Sequence, residues 1–280
     1  MIIAGVDGSA AARAAVAWAA DDAMRMREPL RIVHALNRDP YRYWTIHASL
    51  DQDTLLHMAQ TMVSEAAELA RECQPHIEVS TEIVEGAAAP VLREQAKAAT
   101  EIVIGSRGLG GFTGALLGSA SMNVAGKAHC PVVVVRPEQG SARGEVVVGL
   151  DDAPECEPAL EFAFQQAELR GSPLRAIHAW QPPVQLYAPQ INYDPDDITA
   201  AHRQAATARV ARFRQAHPGV EVIEDVRRAH PVDALVAASA QAALVVVGSH
   251  GRGGIRSALL GSVGHGVLHH ARCTVAVVRN

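Results

Sequence analysis

The chain has few cysteines and lacks the features of secreted and membrane proteins. Its four cysteines, Cys73, Cys130, Cys156 and Cys273, show no CxxC spacing, so buried free thiols are expected rather than a disulfide or zinc framework. No stretch approaches the roughly 18 uninterrupted apolar residues of a membrane span. The segment 1–7 is too short for a signal peptide and is predicted to form the first strand. We therefore expect a cytoplasmic protein with no membrane partner and no protein-built metal site.

Clustered positive charge and aromatic side chains are also scarce. The net charge is −5, and no dense run of lysine or arginine occurs. A nucleic-acid surface needs clustered positive charge to displace counterions, so no nucleic-acid partner is expected. Aromatic residues make up only 4% of the 280 residues. Alanine, valine and leucine must therefore fill most of the interior.

Two familiar nucleotide-binding motifs are missing. The sequence has no G-x-x-x-x-G-K-[ST], which excludes a P-loop NTPase. It has no G-x-G-x-x-G after the first predicted strand, which excludes the dinucleotide fingerprint at the position where it would be needed.

What the chain does contain is one internal repeat. The segments 3–7, 30–35, 102–108 and 116–119 recur at 147–151, 174–179, 245–251 and 259–262, with offsets of 144, 144, 143 and 143. A nearly constant offset over four segments indicates two copies of one unit. We predict domains at 1–137 and 144–280, separated by a stretch that contains Pro, Gly and Ser.

Within each copy, short β-branched runs alternate with alanine-rich stretches. In the first copy the predicted strands are 2–6, 32–35, 79–84, 102–104 and 132–135, and the predicted helices are 11–27, 53–72, 89–99 and 119–129. Most of these strands lack a polar face, whereas 79–84 is more polar and is expected nearer an edge. The alternation predicts an α/β fold with a parallel sheet and right-handed crossovers. Ser9 is the predicted N-cap of the first helix, and Pro154 suits the first turn of its counterpart.

The motif that carries chemistry is G-x2-G-x9-G-[ST], which occurs in each copy after a predicted strand and before a predicted helix. It comprises Gly105, Gly108, Gly118 and Ser119 in the first copy and Gly248, Gly251, Gly261 and Ser262 in the second. Glycines let the backbone approach a ligand closely, and successive N–H groups form an anion-binding concavity at a helix N-terminus. The motif predicts a polyphosphate site. The alternative is that the glycines only form tight turns.

The chain resembles the universal stress protein family in its tandem two-domain form. The shared features are an aspartate after the first strand (Asp7, Asp151), His-Ala in the second strand (34–35, 178–179), both glycine motifs, and the endings CPVVVVR (130–136) and CTVAVVR (273–279). The resemblance covers essentially all residues. It implies two tandem doubly wound domains, each a five-stranded parallel sheet flanked by helices.

The resemblance also implies an adenine-nucleotide site at the carboxyl ends of the strands, with ATP and Mg²⁺ as the expected ligands. Asp7 and Asp151 would contact the ribose or a metal-bound phosphate, and backbone groups of Ala35 and Ala179 would bind the adenine edge. The motif residues would hold the phosphates. In similar tandem proteins the last strands pair with each other or with another chain, so a homodimer is expected.

Several residues near the motif leave alternatives open. Arg107 and Arg252 lie in the glycine loops and either contact phosphate or face solvent. Ser121 offers a further hydroxyl after the first motif, but Gly264 takes that place in the second copy. Asp152 adds a second carboxylate that would repel phosphate. The first site is therefore expected to bind at least as well as the second.

Two sets of histidines have both a functional and a structural interpretation. His34 and His178 could transfer protons near neutral pH, but packed, hydrogen-bonded side chains are the preferred interpretation. His265 and His269 have the i, i+4 spacing of a zinc-binding pair. The first copy does not repeat this pair, so a solvated helix face is preferred.

Three functions fit these features. The preferred hypothesis is an ATP-binding regulatory protein of the stress response, in which nucleotide occupancy controls conformation or the binding of a protein partner. Hydrolysis would be absent or slow, because the sequence shows no evident catalytic base. The second hypothesis is a slow ATPase or nucleotidyl-transfer enzyme that uses Asp7 and a metal ion. The third is a scaffold in which ATP only stabilises the fold.

Overall fold

Two units of the same design make up the chain, a first unit at Met1–Glu138 and a second unit at Gln139–Asn280. The computed structural model describes residues 1–37, 52–109, 117–137, 144–151, 154–182, 195–249 and 260–279. Over those ranges, no helix combines the length and the apolar character needed to cross a lipid bilayer.

Each unit runs through the same order of strands and helices. The first unit contains β1 (Ile2–Val6), α1 (Ala10–Met26), β2 (Leu30–Leu36), α2 (Gln52–Cys73), β3 (Val79–Glu85), α3 (Ala88–Gln95), β4 (Glu101–Gly105), α4 (Ser119–Lys127) and β5 (Val132–Val135). The second unit contains β6 (Glu145–Leu150), α5 (Glu157–Arg170), β7 (Leu174–Trp180), α6 (Pro195–Ala216), β8 (Val222–Arg228), α7 (Pro231–Ala238), β9 (Ala242–Gly248), α8 (Ser262–His270) and β10 (Thr274–Val278).

The strands of each unit form a parallel sheet. The strand order is β3-β2-β1-β4-β5 in the first unit and β8-β7-β6-β9-β10 in the second. Right-handed crossovers place α1 and α2 together on one face and α3 and α4 on the other, and each pair is in contact. The doubly wound, five-stranded parallel sheet expected in each domain is therefore confirmed.

One edge strand of each unit is much less buried than the central strands. Every residue of β1 is buried, and so is every residue of β5 at the other edge of the first unit, but β3 has only intermediate and exposed positions. β8 occupies the corresponding edge of the second unit and is likewise only partly buried. The prediction that 79–84 lies nearer an edge is confirmed.

Helix α1 shows how the alanine-rich stretches are used. Its fully buried positions are Val16 and four alanines, Ala15, Ala19, Ala20 and Ala23. Such small side chains allow the helix backbone to lie close to the sheet. Ser9 caps the helix as predicted, because its Oγ accepts a hydrogen bond from Ala12 N at 3.1 Å.

Three local expectations were wrong. The segment predicted as one helix at 89–99 ends as an α-helix at Gln95 and continues as a 3₁₀ turn at Ala96–Ala98. Pro154 begins a 3₁₀ turn, and the α-helix of the second unit starts only at Glu157. Cys73 is exposed because it is the last residue of α2, whereas Cys130, Cys156 and Cys273 are buried and none of the four forms a disulfide.

Candidate functional site

The strand order fixes where the predicted site residues meet. From β1 the chain moves towards β2, and from β4 it moves towards β5, which lies in the opposite direction. The crevice at such a switch point, outside the carboxyl ends of the strands, is where open α/β sheets bind ligands. Asp7 directly follows β1, and Gly105 ends β4. The same crevice in the second unit has Asp151 after β6 and Gly248 at the end of β9.

Asp7 holds the turn after β1 and the loop after β4 together. Its Oδ1 accepts a hydrogen bond from Ser9 N at 3.0 Å, and its Oδ2 accepts one from Leu109 N at 3.0 Å. Gly108 lies so close to Asp7 that a Cβ on it would be 2.3 Å from Asp7 Oδ2. The glycine at 108 therefore allows the loop to approach the carboxylate.

Gly105 has a packing role that the motif alone does not reveal. A Cβ at this position would lie 2.7 Å from the backbone carbon of Ala11, in the first turn of α1. Real Cβ atoms do not approach backbone atoms so closely. Strand β4 and helix α1 can therefore meet at this point only if the residue is glycine.

A second set of hydrogen bonds ties the loop to the turn before α1. Ser9 Oγ donates to the Arg107 carbonyl oxygen at 3.2 Å, while the Arg107 side chain belongs to an exposed residue. Gly118 N donates to the Ser106 carbonyl oxygen at 2.8 Å. These bonds fix both ends of the described part of the motif beside Asp7.

The start of α4 supplies the helix N-terminus that the motif predicts. Gly118 is the N-cap and makes no side-chain cap, and Ser119 is the first helical residue. The first N–H groups of a helix have no partner within it, so they are suited to an anion. Ser121 was predicted to offer its hydroxyl to the ligand, but it is buried and donates to the Gly105 carbonyl oxygen at 2.8 Å.

The end of β2 lies on the other side of Asp7. β1 pairs with both β2 and β4, so Ala35 and Gly105 belong to strands that flank Asp7. His34 Nδ1 donates to the Val6 carbonyl oxygen at 2.9 Å. This contact fits the structural interpretation of His34.

A cavity of about 50 Å³ lies beside this crevice, between β1, α1 and α2. It is lined by Val6, Gly8, Ala12, Arg13, Val16, Met62, Glu65, Ala66 and Leu69. Met62 and Leu109 both lie near Gly8, and Leu109 is 71% exposed. Together they form an apolar wall next to Asp7. Sequence analysis missed both residues, because no motif links the middle of a helix to a loop after another strand.

The second unit repeats the loop geometry as far as it is described. Gly261 N donates to the Ser249 carbonyl oxygen at 2.8 Å, as Gly118 N does to Ser106. Ser262 is the first residue of α8. Gly251 and Arg252 lie outside the described residues. Gly264 corresponds to Ser121 and has no hydroxyl, so the second unit lacks the hydrogen bond that Ser121 makes. A Cβ at Gly264 would be 3.4 Å from the Gly248 carbonyl oxygen.

A polar cluster lies at the ends of β6 and β7, and of its members His178 has a histidine counterpart in the first unit, His34. His178 Nε2 is 3.0 Å from His202 Nδ1, and the His202 ring stacks on Trp180 with centroids 4.8 Å apart. Arg209 Nη1 is 3.5 Å from Cys156 Sγ. Ala179 lies in β7 between His178 and Trp180.

Burial sets the protonation states in this polar cluster. It lowers the pKa of His178, which the neighbouring His202 lowers further and the Leu150 backbone opposes. Burial also lowers the pKa of His202. Burial raises the pKa of the Cys156 thiol, although Arg209 acts in the opposite direction. Both imidazoles and the thiol are therefore uncharged near neutral pH.

The remaining histidine pair lies on α8. The rings of His265 and His269 are 4.6 Å apart between centroids. Over the described ranges, no three His, Cys, Asp or Glu side chains converge in a way that could hold a metal ion.

Comparison with known proteins identifies relatives of the whole chain. The sequence profile of the universal stress protein family matches residues 1–136 and 143–279. One universal stress protein of Mycobacterium tuberculosis is 35% identical over 293 residues, covering 99% of this chain and 96% of its own. A second one is 35% identical over 287 residues, with the same coverage. The crystal structure of a universal stress protein from Archaeoglobus fulgidus, 20% identical, superposes with a TM-score of 0.73 and covers 100% of this chain and 96% of its own.

Proposed function

The chain belongs to the universal stress protein family, in its tandem form, and from that premise we propose that it is an ATP-binding regulatory protein. Nucleotide occupancy of the crevice beside Asp7 controls the conformation of the protein or its binding to a protein partner. Hydrolysis is absent or slow. The protein acts in the cytoplasm, as a homodimer, in the response to stress.

The observation that carries the proposal is the engagement of Asp7 with the loop at 107–109. The Asp7 carboxylate accepts one hydrogen bond from its own turn and one from Leu109 N. A ribose hydroxyl that bonds to Asp7 Oδ2 shares this acceptor with Leu109 N–H and weakens the bond to Leu109. Binding of a nucleoside therefore changes the hydrogen bonding of an exposed loop. Nucleotide occupancy thus stabilises one state of this loop relative to the other.

The surroundings of Asp7 suit a polyphosphate with its metal ion. The N-terminus of α4 and the motif glycines lie on the β4 side of the crevice. Asp7 provides a carboxylate there, and Mg²⁺ commonly takes one or two carboxylates together with substrate phosphates. Bound Mg²⁺ would supply charge neutralisation between Asp7 and the phosphates. The Ala35 backbone on the β2 side remains the proposed contact of the adenine edge.

Slow chemistry is supported by the surroundings of Asp7. A general base must reach the proton that it abstracts, and each Asp7 oxygen already shares one lone pair with an N–H group. The alternative function, a slow ATPase or nucleotidyl transferase, would require Asp7 to act as base or metal ligand through the lone pairs that remain.

The test is to denature the protein as purified and to identify the nucleotide that it releases. We expect ATP, and turnover of added Mg-ATP well below about one per second. Asp7→Asn should remove most of the bound nucleotide while leaving the circular dichroism spectrum unchanged. Release of ADP with faster turnover would favour the enzyme. No released nucleotide and no thermal shift with Mg-ATP would refute nucleotide binding.

Regulation needs a separate measurement. Light scattering with and without Mg-ATP should show a dimer, and capture of partner proteins should differ between the two conditions. Equal capture in both would favour the scaffold hypothesis, in which ATP stabilises the fold without altering partners.

A further inference from the structure

We propose that Arg209 closes the second unit to the nucleotide, so that the chain binds one ATP, in the first unit. This inference rests on the proposed function. It concerns the side of the crevice that α5 and α6 form in the second unit, where α1 and α2 lie in the first.

Equivalent helix positions in the two units can be assigned from burial. In α2 the buried residues include Val63, Ala67 and Ala70, and in α6 they are Ala206, Val210 and Phe213, which gives a constant offset of 143. In α1 and α5, Ala15, Ala19 and Ala23 match Ala159, Ala163 and Ala167 at an offset of 144. Arg209 therefore stands where the first unit has Ala66, and Cys156 stands where it has Ala12.

In the first unit these two positions leave space. Ala12 and Ala66 both line the cavity of about 50 Å³ beside Gly8. A methyl group on each helix is too short to bridge the gap between α1 and α2. The apolar wall of Met62 and Leu109 stands next to the same space.

In the second unit polar side chains bridge the helices at the same positions. Arg209 Nη1 reaches across to Cys156 Sγ at 3.5 Å. One turn further along, Arg212 Nη2 pairs with Glu157 Oε2 at 2.8 Å. At the offsets of 143 and 144, Arg212 and Glu157 take the places of Leu69 and Arg13, which also line the cavity of the first unit.

The bridge lies directly beneath the second aspartate. Cys156 Sγ is 3.7 Å from the Asp151 carbonyl oxygen. Arg209 is also close enough to His178 to contribute to the lowering of its pKa. His202, which packs between His178 and Trp180, stands where the first unit has the buried Ala59. Two alanines of the first unit are thus replaced by large polar side chains beside the ends of β6 and β7.

Arg209 does not belong to the glycine loop or to the helix that follows it. It belongs to α6, which packs with α5, whereas the glycine loop after β9 leads into α8, which packs with α7. Right-handed crossovers put these helix pairs on opposite faces of the sheet. Arg209 therefore occupies the space between α5 and α6 that the first unit leaves open beside Gly8, and protein interiors are packed too densely to hold both this side chain and a nucleoside there.

Titration of the full-length, nucleotide-stripped protein with Mg-ATP, followed by native mass spectrometry, tests this inference. We expect one ATP per chain, which Asp7→Asn removes and Asp151→Asn does not. Arg209→Ala should add a second ATP per chain, and Arg209→Ala combined with His202→Ala should bind it more tightly. Arg214→Ala removes an exposed arginine of the same helix that pairs with Glu224 of β8 rather than with α5, and it should leave one ATP.

The reciprocal variant moves the bridge into the first unit. Ala66→Arg should abolish the single site, with circular dichroism and thermal unfolding used to verify that the chain still folds. The inference is overturned by two ATP on the unaltered chain, by a site that depends on Asp151 alone, or by an Arg209→Ala chain that gains no second ATP. A chain that binds no ATP in any variant would instead refute the proposed function itself.

Discussion

Gly105→Ala is the sharpest test of how the glycine motif is used. If the motif only binds a ligand, its three glycines in the first unit all have the same role. The structure separates them, because a Cβ at Gly105 would lie 2.7 Å from Ala11 C and 2.9 Å from Ala11 O. Non-bonded carbon atoms prefer about 3.5–4.0 Å, so helix α1 and strand β4 must move apart by roughly 1 Å.

The expected cost follows from that displacement. Overpacking a core typically costs about 1–3 kcal/mol, and the upper part of this range applies because the obstacle is backbone rather than a flexible side chain. We therefore expect Gly105→Ala to lower the free energy of unfolding by about 2–3 kcal/mol. At about 3–5 °C per kcal/mol for a unit of this size, the Tm falls by about 6–15 °C.

Gly118→Ala is the matched control. Gly118 has a φ of −76°, and the nearest atom to its added Cβ is Ser106 O at 3.5 Å, an ordinary contact. Gly118→Ala should lower the free energy of unfolding by less than about 1 kcal/mol, because alanine is a poorer N-cap than glycine. Both variants are unfolded thermally as the full chain stripped of nucleotide. Equal losses of Tm, or a Gly105→Ala loss seen only when nucleotide is bound, would refute the packing argument.

Two further predictions concern single hydrogen bonds and pH. Ser121→Ala removes the bond to the Gly105 carbonyl oxygen and should lower the free energy of unfolding by about 1 kcal/mol. Gly264→Ser should stabilise the second unit by a similar amount. Urea unfolding of both variants measures this, and a Ser121→Ala chain of unchanged stability or a destabilised Gly264→Ser chain would contradict it. Because burial lowers the pKa of His178 and His202 below the ordinary 6.5, the unfolded chain takes up protons first as the pH falls. The free energy of unfolding should therefore be constant above about pH 6.5 and decrease below it, and His202→Gln should reduce that decrease; an unchanged slope would remove the pair as its cause.

The sequence predicted most of the fold because its signals are local or repeated. The constant offset between the copies predicted that the two units contain matching elements, and the β-branched runs predicted where the strands lie. Ser9 was identified as an N-cap because the cap is a contact within one turn of chain. The boundary at Pro154 failed because proline suits the first turn of a 3₁₀ helix as well as that of an α-helix.

The candidate site was predicted only where a motif marks it. Asp7 and the glycines each follow a strand of a parallel sheet, and the structure places Asp7 beside Gly108; their contact with a ligand stays a prediction. The packing demand at Gly105 could not be predicted, because the backbone of Ala11 becomes its neighbour only when α1 crosses β4. The contact of Arg209 with Cys156 joins two helices across a separation of 53 residues, and no spacing rule links them.

The close approach of α1 to Gly105 changes how this motif should be interpreted in sequences of other proteins. Helix α1 requires a glycine there whether or not a ligand is present, so a related chain that had lost its nucleotide would still keep it. Gly118 meets no such obstacle, and selection for the ligand alone would preserve it. A relative that does not bind nucleotide should therefore be recognised in sequence by a replaced Gly118, not by a replaced Gly105.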